Sequence, residues 1–147
     1  MSTNNQHPLS LTMPDLNEAQ LRELYWRSGE APWALYLYTP FCGTCKLAAR
    51  MLSIVLEAKP DLRIVSGNVL YLPQLVAEWQ IQSVPCLLII RDRRIVQKQY
   101  ALRSVSDMYT LLQEVQPAAS DAGAWMNAIL SLQNAGKPSA SGNVYPE

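Results

Sequence analysis

The chain has 147 residues, about half of them apolar, and a formal net charge of zero. Such a chain can bury one core and still carry terminal additions. Its basic residues are scattered apart from Arg91, Arg93 and Arg94, so it lacks the electrostatic footprint of a nucleic-acid or anionic-membrane binder, and three cysteines are too few for a disulfide-stapled secreted scaffold.

Residues 1–8 are polar and read as a disordered tail. The opening run MSTNNQHPLSLTMP lacks the positive n-region and apolar h-region of a secretory signal, and no later apolar run approaches ~18 residues, so a soluble cytoplasmic protein is expected. Leu9, Leu11 and Met13 alternate with Ser10 and Thr12 between two prolines, the pattern of a short edge strand. Asp15-x-x-Glu18 resembles a capping box for a helix over 15–28, with Leu21, Leu24 and Tyr25 on its apolar face and Gly29 as terminator.

Residues 33–38, Trp-Ala-Leu-Tyr-Leu-Tyr, form a continuous apolar run expected of a strand buried on both faces. A helix follows over 42–58, where Cys45, Ala48, Ala49, Leu52 and Leu56 share one stripe. Leu47, Met51, Ile54 and Ala58 make a second stripe that calls for a further cover. Residues 62–65 predict another central strand, broken by a turn at Ser66-Gly67-Asn68. Then come a short helix over 72–79 with Pro73 in its first turn, and a hairpin of strands 86–90 and 95–100 about Asp92-Arg93. Ser104-x-x-Asp107 opens a helix that runs until Pro117 stops it. A last helix is expected over 121–134, with Trp125 and Met126 packing over Met51 and Ile54. The domain proper therefore spans 9–116, and 117–147 form an extension with one helix and a flexible tail.

The chemistry concentrates in Phe41-Cys42-Gly43-Thr44-Cys45-Lys46, where a buried strand gives way to a helix. A Cys at a helix N-terminus meets unpaired backbone N–H groups and the positive end of the helix dipole, which stabilise a thiolate. Each unit by which its pKa falls below ~8.5 corresponds to about 1.4 kcal/mol, within reach of a helix end and Lys46. Cys-x-x-Cys also occurs in zinc sites, but four-coordination needs two further ligands, and the only other cysteine is Cys86 and the only histidine His7, in the polar tail. An inert core pair is the remaining bland alternative.

Ser83-Val84-Pro85 stands just before the third strand. Taken with Cys42-Gly43-Thr44-Cys45-Lys46 and the order strand, helix, strand, helix, strand, strand, helix, it makes the chain resemble the thioredoxin superfamily, as a small bacterial thioredoxin-like protein. The resemblance implies an α/β fold, with a central mixed sheet of four or five strands flanked by helices, here extended by a C-terminal helix. It implies a thiol–disulfide oxidoreductase of cell redox homeostasis in which Cys42 attacks a substrate disulfide and Cys45 resolves the mixed disulfide. Pro85 would be cis and face the pair, and Phe41, Gly43, Thr44, Val84 and Pro85 would form the substrate surface. No bound cofactor or metal is required. The partners implied are disulfide-containing proteins or small thiols, with a separate reductase or thiol pool as electron donor, and a monomer is expected.

Four positions depart from the family. Phe41 and Thr44 stand where thioredoxins usually carry Trp and Pro, and Tyr36 and Ser66 where they carry a buried Asp and a Lys that assist proton transfer. Thr44 is expected to shift the reduction potential, and Tyr36 to change how protons are handled. The same departures leave open a thioredoxin-fold interaction module with weak turnover. Cys86 is read chiefly as core, with a third redox thiol or an iron–sulfur site shared with Cys42 and Cys45 as alternatives.

Overall fold

The computed structural model describes residues 13–135. Its centre is β1 (Trp33–Tyr38), a strand buried along its whole length. Side chains alternate across a strand, so Ala34, Tyr36 and Tyr38 enter one apolar cluster while Trp33, Leu35 and Leu37 enter another on the opposite face. The parallel partner of β1 is β2 (Ile64–Asn68), its antiparallel partner is β3 (Cys86–Arg91), and β4 (Arg94–Gln99) pairs antiparallel to β3 at the edge. The order β2-β1-β3-β4 makes a mixed sheet of four strands, the α/β architecture expected.

Helices cover both faces. α1 (Glu18–Arg27) sends Leu21 and Leu24 into the Trp33 face, joined there by Leu75 of α3 (Pro73–Glu78). α2 (Gly43–Ala58) covers the Tyr36 face with the expected stripe of Cys45, Ala48, Ala49, Leu52 and Leu56, and packs beside α4 (Val105–Leu112). Fully burying an aliphatic side chain of this size is worth about 1.5–3 kcal/mol, so these two stripes hold the helices to the sheet.

The last helix, α5 (Ala122–Ala135), corrects an expectation. It packs with α1 on the Trp33 face: Ile129 and Leu132 are buried there, Trp125 lies 6.3 Å from Trp33 between ring centroids, and Gln20 Nε2 donates to the Leu132 carbonyl at 3.3 Å. It does not cover Ile54, which is 53% exposed. Met51 is half-buried against the Tyr36-face cluster instead.

Local chemistry explains two more corrections. The capping box of α1 is Asn17 with Gln20, each side chain accepting the other's backbone N–H at 2.8–2.9 Å. Asp15 instead accepts the hydroxyl of Ser66, and Glu18 reaches across to accept the Leu75 N–H in the first turn of α3. Gly29 does end α1, at φ +62°. Ser66-Gly67-Asn68 is strand rather than turn, because Gly67 is needed for close approach: a Cβ there would lie 2.9 Å from Leu72 Cδ1 and 3.2 Å from Leu21 Cδ1.

Of the expected edge strand, residues 9–12 lie outside the described residues; just beyond them, a single parallel bridge joins Asp15 to Ser66. The hairpin turn falls at Asp92-Arg93 as expected, both residues at positive φ. Tyr25 pins it by donating its hydroxyl to the Arg93 carbonyl at 2.6 Å.

Docking of α5 gives a direct expectation. Ile129→Ala removes a fully buried side chain and should lower unfolding free energy by about 2–5 kcal/mol, read as an earlier urea midpoint. A midpoint equal to that of wild type would contradict the packing of α5 on the domain.

Candidate active site

β1 ends at Tyr38, and Thr39-Pro40-Phe41 lead over the end of the sheet into α2. Cys42 is the N-cap of that helix: its backbone is extended and its Sγ accepts the Cys45 N–H at 3.0 Å. Ser, Thr, Asp or Asn usually fills this place; here a sulfur accepts one of the donors that the first turn leaves over. The Thr44 hydroxyl lies 3.3 Å from the same sulfur, and the first turn of α2 holds no acidic residue to offset the dipole. Cys42 and Cys45 are joined as a disulfide, their Cα atoms 5.1 Å apart. Cys42 is half-buried while Cys45 is 2% exposed, so Cys42 is the more accessible of the two cysteines.

The sheet register brings the second motif alongside. Leu37 of β1 stands opposite Cys86 of β3, so Val84-Pro85 precede β3 at the end where β1 runs toward Cys42. The Val84–Pro85 peptide is cis, as expected from the motif, and Val84 packs against both apolar clusters. Phe41 is 87% exposed, Thr44 and Gly43 are exposed, and a Cβ at Gly43 would meet nothing within 4 Å.

Two residues went unnoticed in the sequence. Tyr38 stands opposite Asn68, so the short 3₁₀ turn Val69–Tyr71 leaves the sheet at this same end with Leu70 and Tyr71 exposed. The readable signal was a large apolar pair directly after a strand.

Beneath the pair, Tyr36 is fully buried and donates its hydroxyl to the Cys45 carbonyl at 2.6 Å. Its ring stacks on Tyr38 at 6.0 Å, and Tyr38 donates to Asp15 Oδ1 at 3.0 Å, the oxygen that also takes the Ser66 hydroxyl. Tyr36 and Ser66 are register partners across β1 and β2. Burial holds both phenols well above their usual range, helped at Tyr38 by the charge of Asp15.

The thioredoxin family model matches residues 18–114. The chain belongs to the thioredoxin family. A thioredoxin-like protein of Bacillus subtilis strain 168, YusE, is 46% identical over 88 residues, covering 60% of this chain and 83% of that protein. Among solved structures, thioredoxin f2 of Chlamydomonas reinhardtii aligns with a TM-score of 0.62 at 20% identity, covering 72% of this chain and 98% of that one. Oxidised mitochondrial thioredoxin 3 of Saccharomyces cerevisiae aligns with a TM-score of 0.60 at 20% identity, covering 71% and 96%. At such identities these structures support the thioredoxin fold alone.

Within that fold Cys86 stands apart from the pair. Its side chain belongs to the Trp33-face cluster, with Leu88 and Ile90, whereas Cys45 belongs to the Tyr36-face cluster. Among the described residues no group of three or more His, Cys, Asp or Glu is placed to hold a metal ion; His7 lies outside them.

Burial pushes the Cys86 thiol up to about 11, which keeps it protonated and poorly nucleophilic. Because this folded value exceeds the unfolded one, the thiol's contribution to stability is complete below about pH 8.5 and is lost as pH rises toward 11. Urea midpoints of wild type should therefore fall more steeply between pH 8.5 and 10.5 than those of Cys86→Ala. Parallel curves would show that Cys86 is not held in this way.

Proposed function

We propose that this thioredoxin-family chain is a thiol–disulfide oxidoreductase, and that the single observation carrying the reading is the placement of Cys42. Its sulfur caps α2, accepts the Cys45 N–H and sits within bonding distance of Cys45 at the exposed end of the sheet. In the reduced protein the Cys42 thiolate attacks one sulfur of a substrate disulfide, and the other substrate sulfur leaves as a thiolate and takes a proton. Cys45, once deprotonated, attacks the Cys42 sulfur of the mixed disulfide, closes the Cys42–Cys45 bond and releases the second substrate thiol. Two electrons have then passed to the substrate. A separate reductase or thiol pool restores the pair, and no bound cofactor takes part.

The exposed Phe41, Gly43 and Thr44, together with Val84 and Pro85, form the surface on which an extended disulfide-bearing segment docks. Cys86 serves the core. The setting we assign is the cytoplasm, where a reducing thiol pool keeps such a pair turning over; no described helix is long and apolar enough to cross a membrane. A second reading, a binding module with little turnover, draws on the 87% exposure of Phe41.

Insulin reduction driven by dithiothreitol separates the two. Wild type should accelerate precipitation of the insulin chains, Cys42→Ser should fall to the rate of dithiothreitol alone, and reduced Cys45→Ser mixed with insulin after the dithiothreitol is removed should accumulate a mixed disulfide through Cys42. A wild type no faster than Cys42→Ser would overturn the enzymatic reading in favour of the module.

A further inference from the structure

Tyr36 is the largest polar side chain buried directly against the redox pair, and the exchange chemistry above makes no use of it. Its ring is fixed from three sides: it is fully buried in the strand, stacked nearly parallel on Tyr38 at 8° between planes, and flanked by its register partner Ser66. The hydroxyl donates to the carbonyl oxygen of Cys45 at 2.6 Å. A bond this short from a fixed ring to the backbone of α2 ties the first turn of the helix to the centre of the sheet. Cys42 is held differently: its sulfur accepts the Cys45 N–H and lies by the exposed Thr44 hydroxyl.

We infer that Tyr36 is a positioning residue for the resolving cysteine: its hydroxyl fixes the Cys45 backbone so that the sulfur lines up with Cys42, and the Cys45 thiol gives its proton to solvent. The inference rests on the exchange reading above. A step in which one sulfur attacks another along the bond being broken is sensitive to small misplacement, so a fixed backbone under Cys45 raises the fraction of molecules poised to resolve.

Of the titratable groups on the elements around Cys45, Tyr36 and Tyr38 on β1, Tyr109 on α4 and Cys42 belong to or pack against its cluster, Asp15 beside β2 is bonded to Tyr38, and Lys46, Arg50 and Glu57 on α2, Asp107 on α4 and Arg91 on β3 are exposed. β2 and β3 present Ile64, Ser66, Leu87 and Ile89 to this face, none of which titrates. Burial keeps the Tyr36 phenol protonated through neutral pH, so it donates and does not accept. Its proton points at a carbonyl rather than along a chain toward Asp15, which instead takes the hydroxyls of Tyr38 and Ser66. In the resolving step hydroxide or buffer takes the proton of Cys45–SH, the thiolate attacks the Cys42 sulfur, and the departing substrate thiolate carries away the electron pair of the broken bond.

The test is stopped-flow reaction of the reduced protein with one equivalent of 5,5′-dithiobis(2-nitrobenzoate), with Cys86 buried in the native protein. Attack by Cys42 releases one thionitrobenzoate, and attack by Cys45 on the resulting mixed disulfide releases the second, so the two steps appear as separate phases. In wild type the second phase should rise close to tenfold per pH unit from pH 6 to 8 without levelling, the slope of a thiol losing its proton to solvent. Tyr36→Phe, which keeps the ring and removes the hydroxyl, should slow the second phase about fivefold, the worth of one net hydrogen bond, while changing the first less than twofold.

A second phase unchanged in Tyr36→Phe would overturn the positioning role. Levelling of the wild-type second phase below pH 7 would show that a neighbouring group takes or loosens the Cys45 proton, and would overturn the proton route. The wild-type profile decides that point even if Tyr36→Phe does not fold. Wild type releasing one thionitrobenzoate and no second would remove the exchange reading itself, an outcome distinct from the other two.

Discussion

The first turn of an α-helix carries backbone N–H groups that no intrahelical carbonyl reaches, and α2 meets that deficit with sulfur. Cys42 caps the helix through its Sγ, with the Cys45 N–H as donor, so the sulfur we assign the attacking role is also the atom that closes the helix end. The same arrangement explains why a thiolate would be favoured there in the reduced protein, since the free donors and the dipole both act on negative charge at that point. It also explains why Cys45, one turn on, stands close enough to complete the bond. Everything else in the fold serves to hold that turn in place at the end of β1.

β1 does so because it is buried on both faces and paired on both edges. Its register with β3 carries Val84-Pro85 to the site, and its register with β2 sets Tyr36 beside Ser66 under the pair. The alternation of side chains along these strands also separates two thiols by chemistry. Cys45 faces the cluster under α2, and Cys86 faces the cluster under α1, α3 and α5, where burial keeps it protonated. The sheet thus stands between the redox pair and the third cysteine.

Much of this was legible in the residues. The run from Trp33 to Tyr38 has the signature of a strand covered on both sides, and the stripe from Cys45 to Leu56 that of one helix face. The Cys-x-x-Cys pair and the Ser-Val-Pro motif carry the family resemblance in the sequence itself. What could not be read depended on contacts between distant segments.

Asp15 and Glu18 had the spacing of a capping box, yet their acceptors were drawn to Ser66 and to α3, and the less conspicuous Asn17 and Gln20 did the capping. Gly67 looked like a turn residue because sequence does not show that Leu21 and Leu72 crowd its α-carbon. The side of the sheet that α5 chooses is likewise set by Trp33 and α1, not by the unpaired apolar stripe on α2. Tyr36 was visible as a departure from the family, but its bond to the Cys45 carbonyl required the packed structure.

The alkylation rate of the reduced protein by iodoacetamide at pH 6.5, with the modified residue mapped by mass spectrometry, decides whether the N-terminus of α2 activates Cys42. Activation by the helix end predicts that Cys42 reacts first and about tenfold or more faster than glutathione under the same conditions, the gain in thiolate fraction outweighing the loss of intrinsic nucleophilicity. A Cys42 that reacts at the glutathione rate or more slowly, or a protein in which Cys45 or Cys86 is modified first, would contradict it.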